Sequence, residues 1–131
     1  MHVLTIGGAG QLGHFILKHL ASEGHELSII GIGTPPEEGY LPIGTHYIEC
    51  DVEKASEEEI QRHFKGVNTV IHAAGADGRN MFPRPAINGF RDANVKPIPH
   101  IINAMRAVGA SRLIILGSYY TAMHRVYPDL N

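Results

Sequence analysis

At 131 residues the chain has the length of one domain and enough material to bury a core. Hydrophobic residues make up 44% and charged residues 18%, and the formal charge of −2 carries no basic excess that would suggest nucleic acid. No run approaches the roughly 20 apolar residues of a membrane helix, the single Cys50 excludes an internal disulfide framework, and the N-terminus opens on a strand without a charged leader, so a cytoplasmic protein is expected.

The chain opens with a strand over His2–Ile6 that runs straight into Gly7-Gly8-Ala9-Gly10-Gln11-Leu12-Gly13. A helix over Gln11–Ser22 follows, its apolar side chains supplied by Leu12, Phe15, Ile16, Leu17 and Leu20, and Gly24 closes it. Strand, glycine turn and helix in this order present bare backbone and a positive helix end to a dinucleotide pyrophosphate. The expected contacts are Gly7, Gly10, Gln11, Leu12 and Gly13. A side chain at Gly7 or Gly10 would hold the phosphate away, and Gly13 lets the helix pack close.

Leu27–Ile30 reads as the second strand, and Gly31–Gly44 as a loop in which Pro35, Pro36 and Pro42 forbid regular structure. His46–Cys50 is a third strand. Ser56 is the expected N-cap of a helix reaching about Lys65, with Glu57, Glu58 and Glu59 as a solvated first turn favoured by the dipole. Val67–Ala73 is a fourth strand, residues 75–87 a second loop, Ala86–Val108 a long helix and Leu113–Leu116 a fifth strand. Several strands are continuous apolar runs, the pattern of a parallel sheet covered on both faces. Right-handed crossovers give a Rossmann-type doubly wound sheet of order 3-2-1-4-5, with its crevice between strands one and four.

Four strand ends should open on that crevice. After the first comes the glycine turn. After the third comes Asp51-Val52, whose carboxylate can accept from an adenine amino group while neighbouring backbone pairs with the ring. After the fourth comes His72-Ala73-Ala74-Gly75, small enough for a nucleotide to lie against. After the fifth comes Gly117-Ser118, whose hydroxyl falls where a nicotinamide and a carbonyl would meet.

Other groups have plainer readings. The nine histidines lie on separate elements with no His-x-x-x-His pair or carboxylate cluster at ligand spacing, so no metal is expected. Cys50 reads as a buried inert thiol and His72 as a cap on its strand. Arg79 and Arg84 read as solvated loop arginines, with an anionic substrate as the alternative.

The ensemble of motifs resembles the extended short-chain dehydrogenase/reductase family, in particular its NAD-dependent epimerase/dehydratase branch, over essentially the whole chain. The family's opening Thr-Gly-x-x-Gly-x-x-Gly turn is matched by residues 6–13 with Ile6 for threonine. Asp51-Val52, His72–Gly75, Asn94-Val95 and Ser118 match its other motifs. The resemblance implies NAD or NADP as cofactor, a hydroxyl-bearing substrate such as a nucleotide sugar, Ser118 as the group that orients the reacting oxygen, and a proton-relay role for Asn94. Without the resemblance, Asn94 reads as a backbone bond at a helix kink.

Three departures stand out. Gly31 occupies the end of strand two, where NAD-specific members carry an acid, and no basic residue there suits a 2′-phosphate. Pro97 and Pro99 interrupt the long helix just past Asn94. The family's Tyr-x-x-x-Lys pair is absent, the last lysine being Lys96. The expectation is therefore a single NAD(P)-binding domain over 1–131, truncated before the last strands of its sheet, as the N-terminal part of a longer enzyme and inactive alone. The alternative is a non-catalytic dinucleotide sensor. An open edge at strand five would also favour a homodimer.

Overall fold

The computed structural model describes residues 1–118. Its elements run β1 (His2–Ile6), α1 (Gln11–Ser22), β2 (Glu26–Gly31), β3 (His46–Glu49), α2 (Glu57–His63), β4 (Thr69–His72), α3 (Ala86–Asn94), α4 (Pro97–Val108) and β5 (Arg112–Ile115). The strands form one sheet in the order β3-β2-β1-β4-β5, every pair parallel. That is the doubly wound arrangement expected from the apolar runs, with its switch point between β1 and β4. Ile6 stands level with Ile30 on one side and His72 on the other, so three carboxyl ends meet at one height.

Alternate residues of β1 enter two separate cores. Leu4 and Ile6 join Ile30, Val70, Ile60, Phe64, Ile101 and Met105 on the face covered by α2 and α4. Val3 joins Leu27, Ile29, Ile71 and Leu17 of α1 on the opposite face. This double burial explains why β1, β2 and β4 lack the polar alternation of a half-exposed strand. β5 is different: Ile114 and Ile115 are 42% and 48% exposed.

The long helix expected over Ala86–Val108 is two helices. Val95 and Lys96 both donate to the Arg91 carbonyl, at 2.9 and 3.1 Å, which closes α3. α4 restarts with Pro97 as its first residue and Pro99 as its third. Amides in a first turn have no acceptor within their own helix, so two residues compromised elsewhere in a helix are accommodated there. Ser56 caps α2 as expected, its Oγ accepting from the Glu59 amide at 3.2 Å. Cys50 lies one residue past β3, although its amide still donates to the Gly31 carbonyl at 2.9 Å. β4 is likewise shorter than Val67–Ala73, and α2 ends two residues before Lys65.

Thr5 is fully buried in β1, and its hydroxyl has no hydrogen-bond partner among the described residues. A buried hydroxyl without a partner costs free energy that a methyl group does not. Thr5→Val is therefore expected to stabilise the fold by about 1 kcal/mol, raising the melting temperature by roughly 4 °C. A calorimetric scan showing a lower melting temperature for the variant would contradict this account of the strand.

Candidate functional site

The carboxyl ends of β1, β2, β3 and β4 border a groove of about 820 Å³. A second hollow of about 460 Å³ adjoins it and shares His72, Ala73, Ala74 and Gly75 with it. The larger volume lies within the ordinary range for small-molecule and cofactor sites.

The glycine turn forms one wall, and its glycines have different duties. Gly7 has φ of +79°, and a Cβ there would stand 2.7 Å from the Ala74 amide nitrogen. A Cβ on Gly13 would stand 2.6 Å from both the Gly7 oxygen and the Gly8 Cα. Gly8, which the sequence reading left without a role, is needed too: a Cβ would lie 2.6 Å from Ile29 Cγ2. Gly10 is exposed, and a Cβ on it would approach only the Gly7 oxygen, at 3.2 Å. Close packing thus claims Gly7, Gly8 and Gly13, and Gly10 is exposed and less tightly confined. The helical ladder of α1 begins with His14 donating to the Gly10 carbonyl at 2.8 Å. The amides of Gln11, Leu12 and Gly13 precede it and have no acceptor in their own helix. These amides carry the positive end of the helix dipole beside the groove.

Ala73, Ala74 and Gly75 also line the groove. Asp51 and Val52 border it near β3. The Asp51 carboxylate is already engaged. One oxygen accepts from the Glu53 amide at 3.1 Å, and the other pairs with Lys54 Nζ at 2.7 Å. At the end of β2 the space beside Gly31 is filled by Tyr47, whose hydroxyl donates to the Gly33 carbonyl at 2.7 Å. Burial, then the neighbouring Glu49 charge, pushes the Tyr47 phenol upward, so it stays protonated. Tyr40 reaches over from the following loop, its hydroxyl donating to the Ala9 carbonyl at 3.1 Å and its ring 4.4 Å from that of His14.

The loop after β4 is tied down by side chains. Asn94 accepts from the Ala76 amide at 2.7 Å and donates to the Ala76 carbonyl at 3.0 Å. The backbone bond expected of Asn94 at its own helix kink is thus made across to this loop. Arg79 is the solvated loop arginine expected, its side chain 88% exposed, and it also has a partner. Its guanidinium holds Asp77 through contacts of 2.6 to 3.1 Å, and that pairing keeps the Asp77 carboxyl down at about 2. Ser118 borders the smaller hollow together with Asn94 and Gly75. Tyr119, Tyr120 and Tyr127 lie outside the described residues.

His72 is 3% exposed and borders both hollows, in register with Ile6 and Ile115 inside the sheet. It is the last residue of β4. Burial lowers its pKa below the ordinary 6.5. Cys50, which also lines the groove, meets two α2 side chains, Glu59 and His63, with one donor atom from each within 4.8 Å of the others. Histidine spacing alone does not reveal this set, although Glu59 and His63 stand i, i+4 in the sequence. Burial first, then Glu59 and Asp51, raises the Cys50 thiol pKa, in keeping with an unreactive thiol.

A doubly wound parallel sheet, with a glycine turn at the crevice beside its first strand, is a Rossmann-type domain. The chain belongs to the NAD dependent epimerase/dehydratase family, whose model matches residues 3–130. Among curated relatives, the dTDP-4-dehydro-6-deoxy-D-allose reductase of Streptomyces bikiniensis is 25% identical over 121 residues, covering 88% of this chain and 37% of that protein. The UDP-glucose-4-epimerase of Stenotrophomonas maltophila, solved with NAD and formylated UDP-arabinopyranose, superposes with a TM-score of 0.77 at 18% identity, over 92% of this chain and 38% of that one. MoeE5 in complex with UDP-glucuronic acid and NAD gives 0.72 at 21% identity, over 90% and 37%. The chain therefore spans well under half the length of these relatives.

Two outcomes follow from the packing and the burial. Gly7→Ala combines a left-handed backbone with a collision against β4, and is expected to destabilise the fold by about 2–4 kcal/mol in a denaturant titration. A loss below 0.5 kcal/mol would show that the turn yields easily. Because the folded protein holds His72 neutral, His72 favours unfolding as pH falls from 6.5 towards its lowered folded value. The dependence is bounded by one proton, about 1.4 kcal/mol per pH unit. Stability measured from pH 7.5 to 5 should fall less steeply in His72→Gln than in the parent, and parallel profiles would refute the assignment.

Proposed function

We propose that this chain is the NAD(P)-binding domain of a longer epimerase, dehydratase or reductase acting on a hydroxyl-bearing substrate such as a nucleotide sugar. One observation carries the reading. Gly10 and the amides of Gln11, Leu12 and Gly13 face an open groove at the switch point, while the other glycines of the turn are consumed by packing. A pyrophosphate suits that wall because it accepts from main-chain amides and lies at a positive helix end. Ala73, Ala74 and Gly75 give the flat floor that a nucleotide needs. Val52 and the backbone beside Asp51 would meet the adenine, with the Asp51 lone pairs left over from Glu53 and Lys54 accepting from its amino group. Family membership supports the reading, as do the NAD and nucleotide-sugar ligands of the structural relatives.

When bound, the nicotinamide supplies hydride-transfer chemistry. In that setting Ser118 would orient the substrate oxygen from the smaller hollow. Asn94, held to Ala76, would keep the loop after β4 in place. Proton transfer would fall to a tyrosine assisted by lysine, and no Tyr-x-x-x-Lys pair occurs within the 131 residues. A second reading is a dinucleotide sensor that binds without turnover. A longer parent sequence bearing the pair decides for the enzyme. The exposed Ile114 and Ile115 on β5 would favour association of two copies.

The decisive experiment titrates the purified chain with NAD, NADP and their reduced forms by calorimetry and by melting temperature. A coenzyme that binds only the folded state, present at about 100 times its Kd, should add about 2.7 kcal/mol of stability. Gly10→Glu sets a Cβ 3.2 Å from the Gly7 oxygen, which must give slightly; shown to be folded by circular dichroism, it should bind at least tenfold more weakly. Little oxidation of NAD(P)H is expected from this chain with ketoses or nucleotide sugars. Absence of coenzyme uptake by the parent, or undiminished uptake by Gly10→Glu, would defeat the proposal.

A further inference from the structure

We propose that Cys50, Glu59 and His63 form a binding site for a divalent cation of the zinc class. The three donors are a thiol, a carboxylate and an imidazole, a combination that suits borderline-soft ions. They come from two elements. Cys50 follows β3 directly, and Glu59 and His63 stand one turn apart on a single face of α2. The sulfur, one carboxylate oxygen and one ring nitrogen all lie within 4.8 Å of one another. Donors around a tetrahedral zinc ion are separated by roughly 3.3–3.8 Å, given metal–ligand bonds of about 2.0–2.3 Å. Binding would draw the Glu59 and His63 donors inward by rotation about their side-chain bonds.

Among the described residues, none of the three side chains makes a hydrogen bond or an ion pair. Cys50 is 5% exposed, and the other two are half-buried. Drawing a carboxylate and an imidazole over a nearly buried thiol without pairing them costs solvation that a cation would repay. On binding, the thiol would release its proton to solvent and ligate as thiolate, leaving the fourth tetrahedral position to water on the half-open side. The ion would tie the end of β3 to α2, directly behind Asp51 and Val52. Its first effect would thus be to brace the wall of the larger groove.

The test needs no coenzyme, so its failure and that of the dinucleotide reading are separate results. Tag-free, reduced chain is titrated anaerobically with cobalt(II). The expected result is a one-to-one complex with a thiolate-to-cobalt charge-transfer band in the near ultraviolet, bleached by stoichiometric zinc. Cys50→Ser should abolish the band, and Glu59→Gln and His63→Gln should each weaken cobalt binding at least tenfold. All three variants should match the parent in circular dichroism without metal, and zinc should raise the melting temperature of the parent but not of Cys50→Ser. Should a variant fail to fold, the charge-transfer band and the zinc-dependent melting shift of the parent still decide. Absence of the band in the parent would overturn the site, as would a band of undiminished affinity in folded Glu59→Gln and His63→Gln, which marks adventitious binding to the thiol alone.

Discussion

The structure depends on the approach of main chain to main chain around Gly7. Three elements converge there: the end of β1, the start of α1 and the turn after β4. Cβ atoms added at Gly7 and Gly13 would lie 2.6–2.9 Å from neighbouring atoms, nearly all of them backbone. Backbone cannot rotate aside as a long side chain can, so these positions have no inexpensive substitute. Gly8 fixes the turn from below by resting on Ile29, a residue of the α1-side core. The same contacts that pack the domain therefore set the height of the helix end above the sheet.

From that fixed point the two cores divide the labour. The α1 face carries the turn, and the α2–α4 face carries the strand ends that border the rest of the groove. Cys50 and Val52 belong to the latter core, so the wall near Asp51 rests on packed side chains, not on a free loop. The prolines contribute by ending one helix and beginning another. Because α3 stops at Asn94, that side chain sits at a helix terminus, where it holds both backbone groups of Ala76. Asp77, Arg79 and Asn80 then close the same loop on itself through local hydrogen bonds.

Much of the sheet was legible because its signals are local. β1, the glycine turn and α1 follow one another within 22 residues. The buried strands announce themselves by β-branched runs, and Ser56 by the acidic turn that follows it. What was not legible involves partners far apart in sequence. Asn94 bonds a residue 18 positions away, and Tyr47 fills the space beside Gly31 from the neighbouring strand. The pairing of Arg79 with Asp77 was near in sequence yet easily overlooked, since an i, i+2 pair meets only in a tight loop. Cys50 and α2 converge because Cys50 and Ile60 of α2 share one core, which no single-segment pattern reports.

Gly31 and Tyr47 bear on how the proposed site would recognise a coenzyme. An acidic side chain at position 31 would begin from a Cβ only 2.9 Å from the Tyr47 hydroxyl. It would have to displace the ring and break the bond that hydroxyl makes to Gly33. The missing carboxylate is thus part of a packed arrangement and not merely a deletion. Gly31, Ile32 and Thr34, which border the groove here, bring no formal charge. A carboxylate that would repel a 2′-phosphate is absent from these positions, and so is a guanidinium that would attract one. At these three positions, what could separate NAD from NADP is backbone hydrogen bonding and the shape that Tyr47 imposes.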